Sequence, residues 1–162
     1  MNTETNRIEN KEQLNEDFEQ EVIAFLNYKE GGIIYIGINK TGQVVGVKDT
    51  DLTQLQIKDR IKNNIQPSTL GLFDVTVETI DNKEVIKVVI SSGTEKPYYL
   101  RKKGRTSEGC YIRVGSSKER MTERMIDDMY SRRIKNTLKE IDSPRQELTF
   151  NQLKIYYEEH GL

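Results

Sequence analysis

The fold turns on residues 31–47, which read Gly31-Gly32-Ile33-Ile34-Tyr35-Ile36-Gly37-Ile38-Asn39-Lys40-Thr41-Gly42-Gln43-Val44-Val45-Gly46-Val47. The run from Ile33 to Ile38 is too short and too rich in β-branched side chains for a helix, so it predicts a strand. Asn39-Lys40-Thr41-Gly42 supplies turn residues, and Gln43 to Val47 predicts the returning strand of a hairpin. A continuous apolar strand is expected inside a sheet covered on both faces, with the preceding helix as one cover. Asn15 stands as the cap of that helix, and Glu16, Asp17 and Glu19 suit the positive end of its dipole. Phe18, Val22, Phe25 and Leu26 then form one apolar stripe before Gly31-Gly32 stops the helix.

Further along, a second helix fits Asp51 to Asn64 with Leu52, Leu55, Ile57 and Ile61 inward, and Pro67 closes it. Phe73, Val75 and Val77 alternate with Asp74, Thr76 and Glu78, and Asp81-Asn82 turns the chain into Val85 to Ile90, which predicts a second hairpin. Pro97 to Leu100 and Cys110 to Val114, separated by the polar stretch Arg101 to Gly109, read as a third. Thr122 caps a helix running to about residue 139, with Met121 and Ile126 in staple spacing. After Ser143-Pro144, Thr149-x-x-Gln152 is a capping-box pattern opening an amphipathic segment, Phe150 to Glu159. The expected class is α+β, with mixed or antiparallel β-hairpins packed against helices. Residues 1–140 are expected to form the domain, and residues 141–162 the entry to a following helical module cut short here.

Composition bounds the function. The 162 residues carry 25 Lys+Arg against 26 Asp+Glu, a formal charge of −1, so any basic site must be local. No apolar run approaches the roughly 20 residues that span a bilayer, and neither a basic n-region nor an apolar h-region opens the chain, so a cytoplasmic protein without a membrane partner is expected. One cysteine, Cys110, and one histidine, His160, exclude an internal disulfide, zinc sites built on Cys/His clusters and triads needing an interior His.

Charge is nonetheless segregated. Residues 1–30 sum to −5, whereas residues 96–120 sum to +6. Arg101, Lys102, Lys103 and Arg105, extended by Arg113 and Lys118, could neutralise phosphates, and Tyr99 or Tyr111 could stack on unpaired bases. A solvated loop tip is the plain alternative. Gly115-Ser116-Ser117, lying before a helix, could hold an anion with backbone N–H groups at its positive end, although the Walker A spacing is absent. Glu4 and Glu9 are the acids to watch, since paired carboxylates can hold Mg²⁺ or Mn²⁺ beside a phosphodiester. Exposed acids on a polar N-terminus are the alternative there.

The run Glu4-x-x-x-x-Glu9-x-Lys11, then Ala24-Phe25-Leu26-Asn27 leading to Gly31-Gly32, Ile34-Tyr35-Ile36-Gly37-Ile38, Gly42 and Val45-Gly46-Val47, resembles the Schlafen AlbA-type DNA-binding domain. Lys96-Pro97-Tyr98-Tyr99 and Tyr111-Ile112-Arg113-Val114-Gly115-Ser116-Ser117 are similar to the family's second block, so the resemblance covers residues 4 to about 135. It implies a nucleic-acid-binding domain, with DNA preferred over RNA. Such domains stand at the N-terminus of longer bacterial chains described as transcriptional regulators or divergent AAA-type ATP-binding proteins. The tail Leu148 to Leu153 looks like the entry to a winged-helix region. No cofactor is required on this reading.

Two other functions stay open. In the animal branch, related domains are endoribonucleases that hold a divalent metal with two glutamates and an aspartate. Glu4 and Glu9 match the glutamates, but the third acidic position is Asn39, which leans the reading away from an enzyme; Asp49 lies close enough in sequence to substitute. The last possibility is a protein-interaction or dimerisation module, in which the −5 segment of one copy meets the +6 segment of another.

Overall fold

The computed structural model describes residues 7–142, with side chains through Arg133. Glu4, the capping box at Thr149 and the proposed entry to a following module lie outside the described residues. A four-stranded sheet runs in the order β1(Ile8–Lys11), β2(Gly32–Ile36), β5(Lys83–Ile90), β4(Phe73–Ile80). Strand β1 lies parallel to β2, and the other pairings are antiparallel. The class is therefore α+β with a mixed sheet.

The helix before β2, α1(Phe18–Asn27), buries nearly its whole circumference rather than one stripe. Phe18, Val22, Phe25 and Leu26 pack on Ile34, Ile36, Val88 and Ile90 of one sheet face, as the periodicity predicts. Glu19 and Glu21 are also buried, so each needs a counter-charge inside the fold. Asn15 is not the helix cap. Its side chain accepts from the Asp17 N–H, and Asp17 occupies the cap position without a side-chain bond.

The hairpin expected over residues 33–47 is only partly formed. Ile38 and Val44 make a single antiparallel bridge, and beyond it Val45 and Gly46 both donate to the Gly37 carbonyl. Gly37 adopts φ +106°, which takes the chain out of the ladder. The other edge of β2 is taken instead by β1, whose polar sequence hides its strand character. Tyr35, Ile38, Val44 and Val85 then form a smaller cluster on the sheet's second face.

Helix α2(Thr50–Asn64) is capped by Asp49, whose Oδ1 accepts from the Leu52 N–H at 3.0 Å. It buries Ile57 and Ile61, but leaves Leu52 52% and Leu55 66% exposed, against the inward orientation expected. The β4–β5 hairpin closes as predicted, with Asp81 and Asn82 both in the left-handed region its tight turn requires.

The third hairpin is differently wired. Strand β6(Tyr99–Leu100) pairs with β3(Ile65–Gln66), while β7(Tyr111–Val114) pairs with β8(Ser117–Arg120). Helix α3(Glu123–Asp142) begins after Thr122, whose hydroxyl accepts from the Met125 N–H at 3.2 Å. Met121 and Ile126 are buried together with Cys110, as the staple spacing predicts.

Candidate functional site

Between β6 and β7 the chain makes a compact loop of its own hydrogen bonds. Lys103 and Gly104 N–H groups both donate to the Leu100 carbonyl, and Gly109 and Cys110 N–H groups donate to that of Thr106. The Thr106 hydroxyl donates to Lys103 O at 3.2 Å, and the Ser107 N–H to Glu123 Oε1 at 3.1 Å, which pins the loop to the start of α3. With its backbone satisfied inward, the loop displays Arg101, Lys102, Lys103 and Arg105 as exposed side chains. Among the described residues none of the four makes an ion pair. Arg101 reaches only the Asn63 carbonyl at 3.5 Å, and Arg105 lies over the Tyr130 ring at 3.8 Å. The tip is therefore a braced cluster of cations, with Glu16 and Glu19 across a cleft from Arg101, Lys102 and Lys103.

Two cations expected to extend this track do not. The Arg113 side chain is wholly buried, where its Nη1 donates to Glu9 Oε1 at 2.7 Å and Glu21 Oε2 at 3.3 Å, and its Nη2 donates to the Ile8 carbonyl at 3.1 Å. Its guanidinium also stacks over Phe25 at 4.8 Å. Lys118 lies 3.0 Å from Glu21 Oε1 and 3.8 Å from Asp17 Oδ2. Burial works against the Lys118 charge, but Glu21 and Asp17 more than offset it and hold the ammonium above its ordinary value. Burial together with the charge of Glu9 pushes the Glu21 carboxyl up, in spite of Lys118. Both values rise, which favours the charge on Lys118 and disfavours it on Glu21, because Glu21 is the more deeply buried and lies beside a second carboxylate, Glu9.

The aromatic contribution also changes. Tyr111 is buried in the main core and presents no open face for stacking, whereas Tyr99 packs half-buried against the cluster of Cys110, Met121 and Ile126. Gly115, Ser116 and Ser117 form the exposed tip of the β7–β8 hairpin rather than the start of a helix, and the Ser117 hydroxyl donates to the Val114 carbonyl at 3.4 Å. The helix-dipole argument for an anion there has no helix to act through.

The described members of the suggested metal set do not fit a divalent ion. Glu9 is 3% exposed, and its carboxylate is taken by Arg113 and by Lys11 at 4.0 Å. Asn39 Oδ1 accepts from the Thr41 N–H, the Thr41 hydroxyl and the Gln43 N–H, which makes it the organiser of the 39–43 turn. Asp49 is committed to the α2 cap. Among the described residues no group of three or more His, Cys, Asp or Glu side chains is placed to hold a metal.

Asn27 is a central residue that charge counting passes over. Its Nδ2 donates to the carbonyls of Tyr98 and Tyr111 at 3.0 and 2.9 Å, and its Oδ1 accepts from the Tyr98 N–H at 2.7 Å. It thereby ties α1 to the strands on either side of the basic loop. Its place in the Ala24-Phe25-Leu26-Asn27 motif was the available signal. Lys29, Arg132 and Arg133 were also overlooked, because they belong to separate segments outside the basic window.

A family model described as Schlafen, AlbA_2 matches residues 4–122. Among solved structures, the DIP2311 protein from Corynebacterium diphtheriae aligns with a TM-score of 0.55 at 20% identity, over 72% of this chain and 22% of that one. The chain thus spans about a fifth of that protein's length, and the likeness is one of fold. The N-terminal domain of a RecG-related protein from Nitrosomonas europaea aligns with a TM-score of 0.49 at 25% identity, over 72% of this chain and 82% of that domain. No match was found among curated proteins. No helix among the described residues is long and apolar enough to cross a membrane.

Proposed function

Because this chain belongs to the Schlafen AlbA_2 family and displays four cations without ion pairs among the described residues on one braced loop, we propose that it binds nucleic acid through Arg101, Lys102, Lys103 and Arg105. The observation that carries the reading is the contrast between two sets of basic residues from the same sequence window. Arg113 and Lys118 are consumed by internal acids, whereas the loop cations are exposed and without ion pairs among the described residues. A structure that only needed charge balance would have no use for the second set.

Contacts from this loop go to phosphates. Tyr111 is buried in the core and Tyr99 is half-buried, so the cations, rather than stacked bases, carry the binding. Arg105, held flat on Tyr130, presents its guanidinium edge at a fixed height above the surface. DNA is the expected polymer, and the domain is expected to act within a longer bacterial regulator; both follow from the family resemblance.

The test is fluorescence anisotropy with a labelled duplex over a range of salt. Neutralising Z phosphates gives a slope of log affinity against log salt of about −0.9Z for duplex DNA. Charge reversal at Lys102 and Lys103 together is expected to weaken binding at least tenfold and flatten that slope by about 2. Unchanged affinity and slope in a variant with the parent's circular dichroism would remove the loop as the binding element. Repeating the titration with transfer RNA decides the polymer.

A further inference from the structure

Beside Tyr130, the ring that Arg105 also covers, Lys29, Lys96, Arg132 and Arg133 line a cleft with Gly93, Thr94 and Asn27, over a floor of Ile112 and Met129. The cleft holds about 470 Å³, within the roughly 300–1,000 Å³ of small-ligand sites, and no carboxylate lines it among the described residues. Four cations drawn from three separate segments thus line one recess that has no acidic side chain among its described lining residues. We propose that this cleft binds the linked phosphates of a compact oligophosphate.

Its walls are set before any ligand arrives. The Gly93 N–H donates to the Leu26 carbonyl at 2.8 Å, and the Glu95 N–H donates to the Tyr98 hydroxyl at 3.1 Å. A side chain at Gly93 would meet the Tyr98 ring at 2.1 Å, so the loop can close on the ring only with glycine there. Arg133 lies over Tyr130 at 5.1 Å and donates to the Glu95 carbonyl at 3.5 Å, which aligns α3 with the Lys96 loop. Groups held in place in this way lose little freedom when a ligand binds.

Lys96 and Arg132 repel each other across the cleft. Burial, and then the charge of Arg132, pull the Lys96 ammonium below its ordinary value. An anion seated between Lys96 and Arg132 reverses the second effect. A lone phosphate can touch part of this ring of cations, whereas a chain of linked phosphates spans it, so length should matter. Thr94 offers a hydroxyl at the rim, and the Ile112 and Met129 floor leaves space for an apolar or planar group attached to the phosphates.

The cleft shares no lining residue with the 101–105 loop, which adjoins it where Arg105 and Arg133 lie over Tyr130, and its test does not depend on nucleic-acid binding. Sodium tripolyphosphate is titrated at low ionic strength by calorimetry, with amide chemical shifts of Gly93 and Thr94 followed in parallel. We expect 1:1 saturation with shifts at those amides, and at least tenfold weaker binding of orthophosphate. Lys96→Gln combined with Arg132→Gln should lower tripolyphosphate affinity at least tenfold, as should exposed Lys29→Gln with Arg132→Gln if the first pair fails to fold. Charge reversal at Lys102 and Lys103 should leave it unchanged. ATP competing for the cleft identifies a nucleotide as the source of the phosphates, and tripolyphosphate binding without such competition identifies a free oligophosphate. Absence of saturable binding, or equal loss in the cleft and loop variants, overturns the proposal.

Discussion

A guanidinium with none of its surface in water must find its counter-charges within the fold, and Arg113 finds two, Glu9 and Glu21. Arg113→Ala would strand both carboxylates in a buried site and is expected to cost about 3–5 kcal/mol, read as a drop in the urea midpoint. A surface arginine would give a loss close to zero. The same residue explains why the basic window was misjudged. Charge summed along a sequence treats Arg113 and Lys102 alike, and only the strand register, which turns alternate side chains inward, separates a core ion pair from a surface contact. Glu9 was read beside Glu4 as a metal candidate, whereas its carboxylate meets Arg113, and nothing local to residues 8–11 announces a partner in β7.

Among the elements, α1 and α2 are coupled through Glu19, whose carboxylate receives Arg60 Nε at 2.9 Å, Arg60 Nη2, and Asn64 Nδ2 at 2.8 Å. Burial alone would raise this carboxyl, but Arg60 and Asn64 outweigh it and hold the group below 4.5. A folded value lowered in this way gives stability that is complete above pH 4.5 and lost as pH falls through the lowered value. Glu19→Gln is therefore expected to melt earlier than the parent at neutral pH, with the gap narrowing in acid; a gap constant with pH would contradict this. Burial moves Glu21 in the opposite direction, so its own contribution declines as pH rises from 4.5 through its raised value, and the Glu19→Gln difference isolates the first effect. Elements with local signals were legible: the β4–β5 hairpin from alternation and Asp81-Asn82, and α3 from Thr122 and its staple. Those made by distant partners were not. Strands β3 and β6 have two residues each, β8 reads Ser-Lys-Glu-Arg, and α2 turns Leu52 and Leu55 outward because the sheet meets only Ile57 and Ile61.

At the scale of the whole molecule, the acidic and basic segments of the sequence meet each other. Asp17, Glu21 and Glu9 engage Lys118 and Arg113 of the same chain, so part of the charge complementarity between the two segments is met internally. What remains outside is the loop at 101–105 and the cleft around Lys96. Salt should separate the two kinds of charge, since buried pairs are screened far less than exposed ones. Raising salt from about 0.02 to 0.5 M is expected to shift the thermal midpoint little while lowering DNA affinity steeply. Parallel loss of both would mean that the binding cations also hold the fold together.

The pairing of Glu9 with Arg113 bridges 104 positions of chain. During vectorial synthesis the ribosome releases β1 and α1 long before the guanidinium that neutralises them, and loop closure of that length comes late. A nascent chain halted short of β7 would carry two acids with no place in a core, so β7 acts as the clasp that lets β1 and α1 settle.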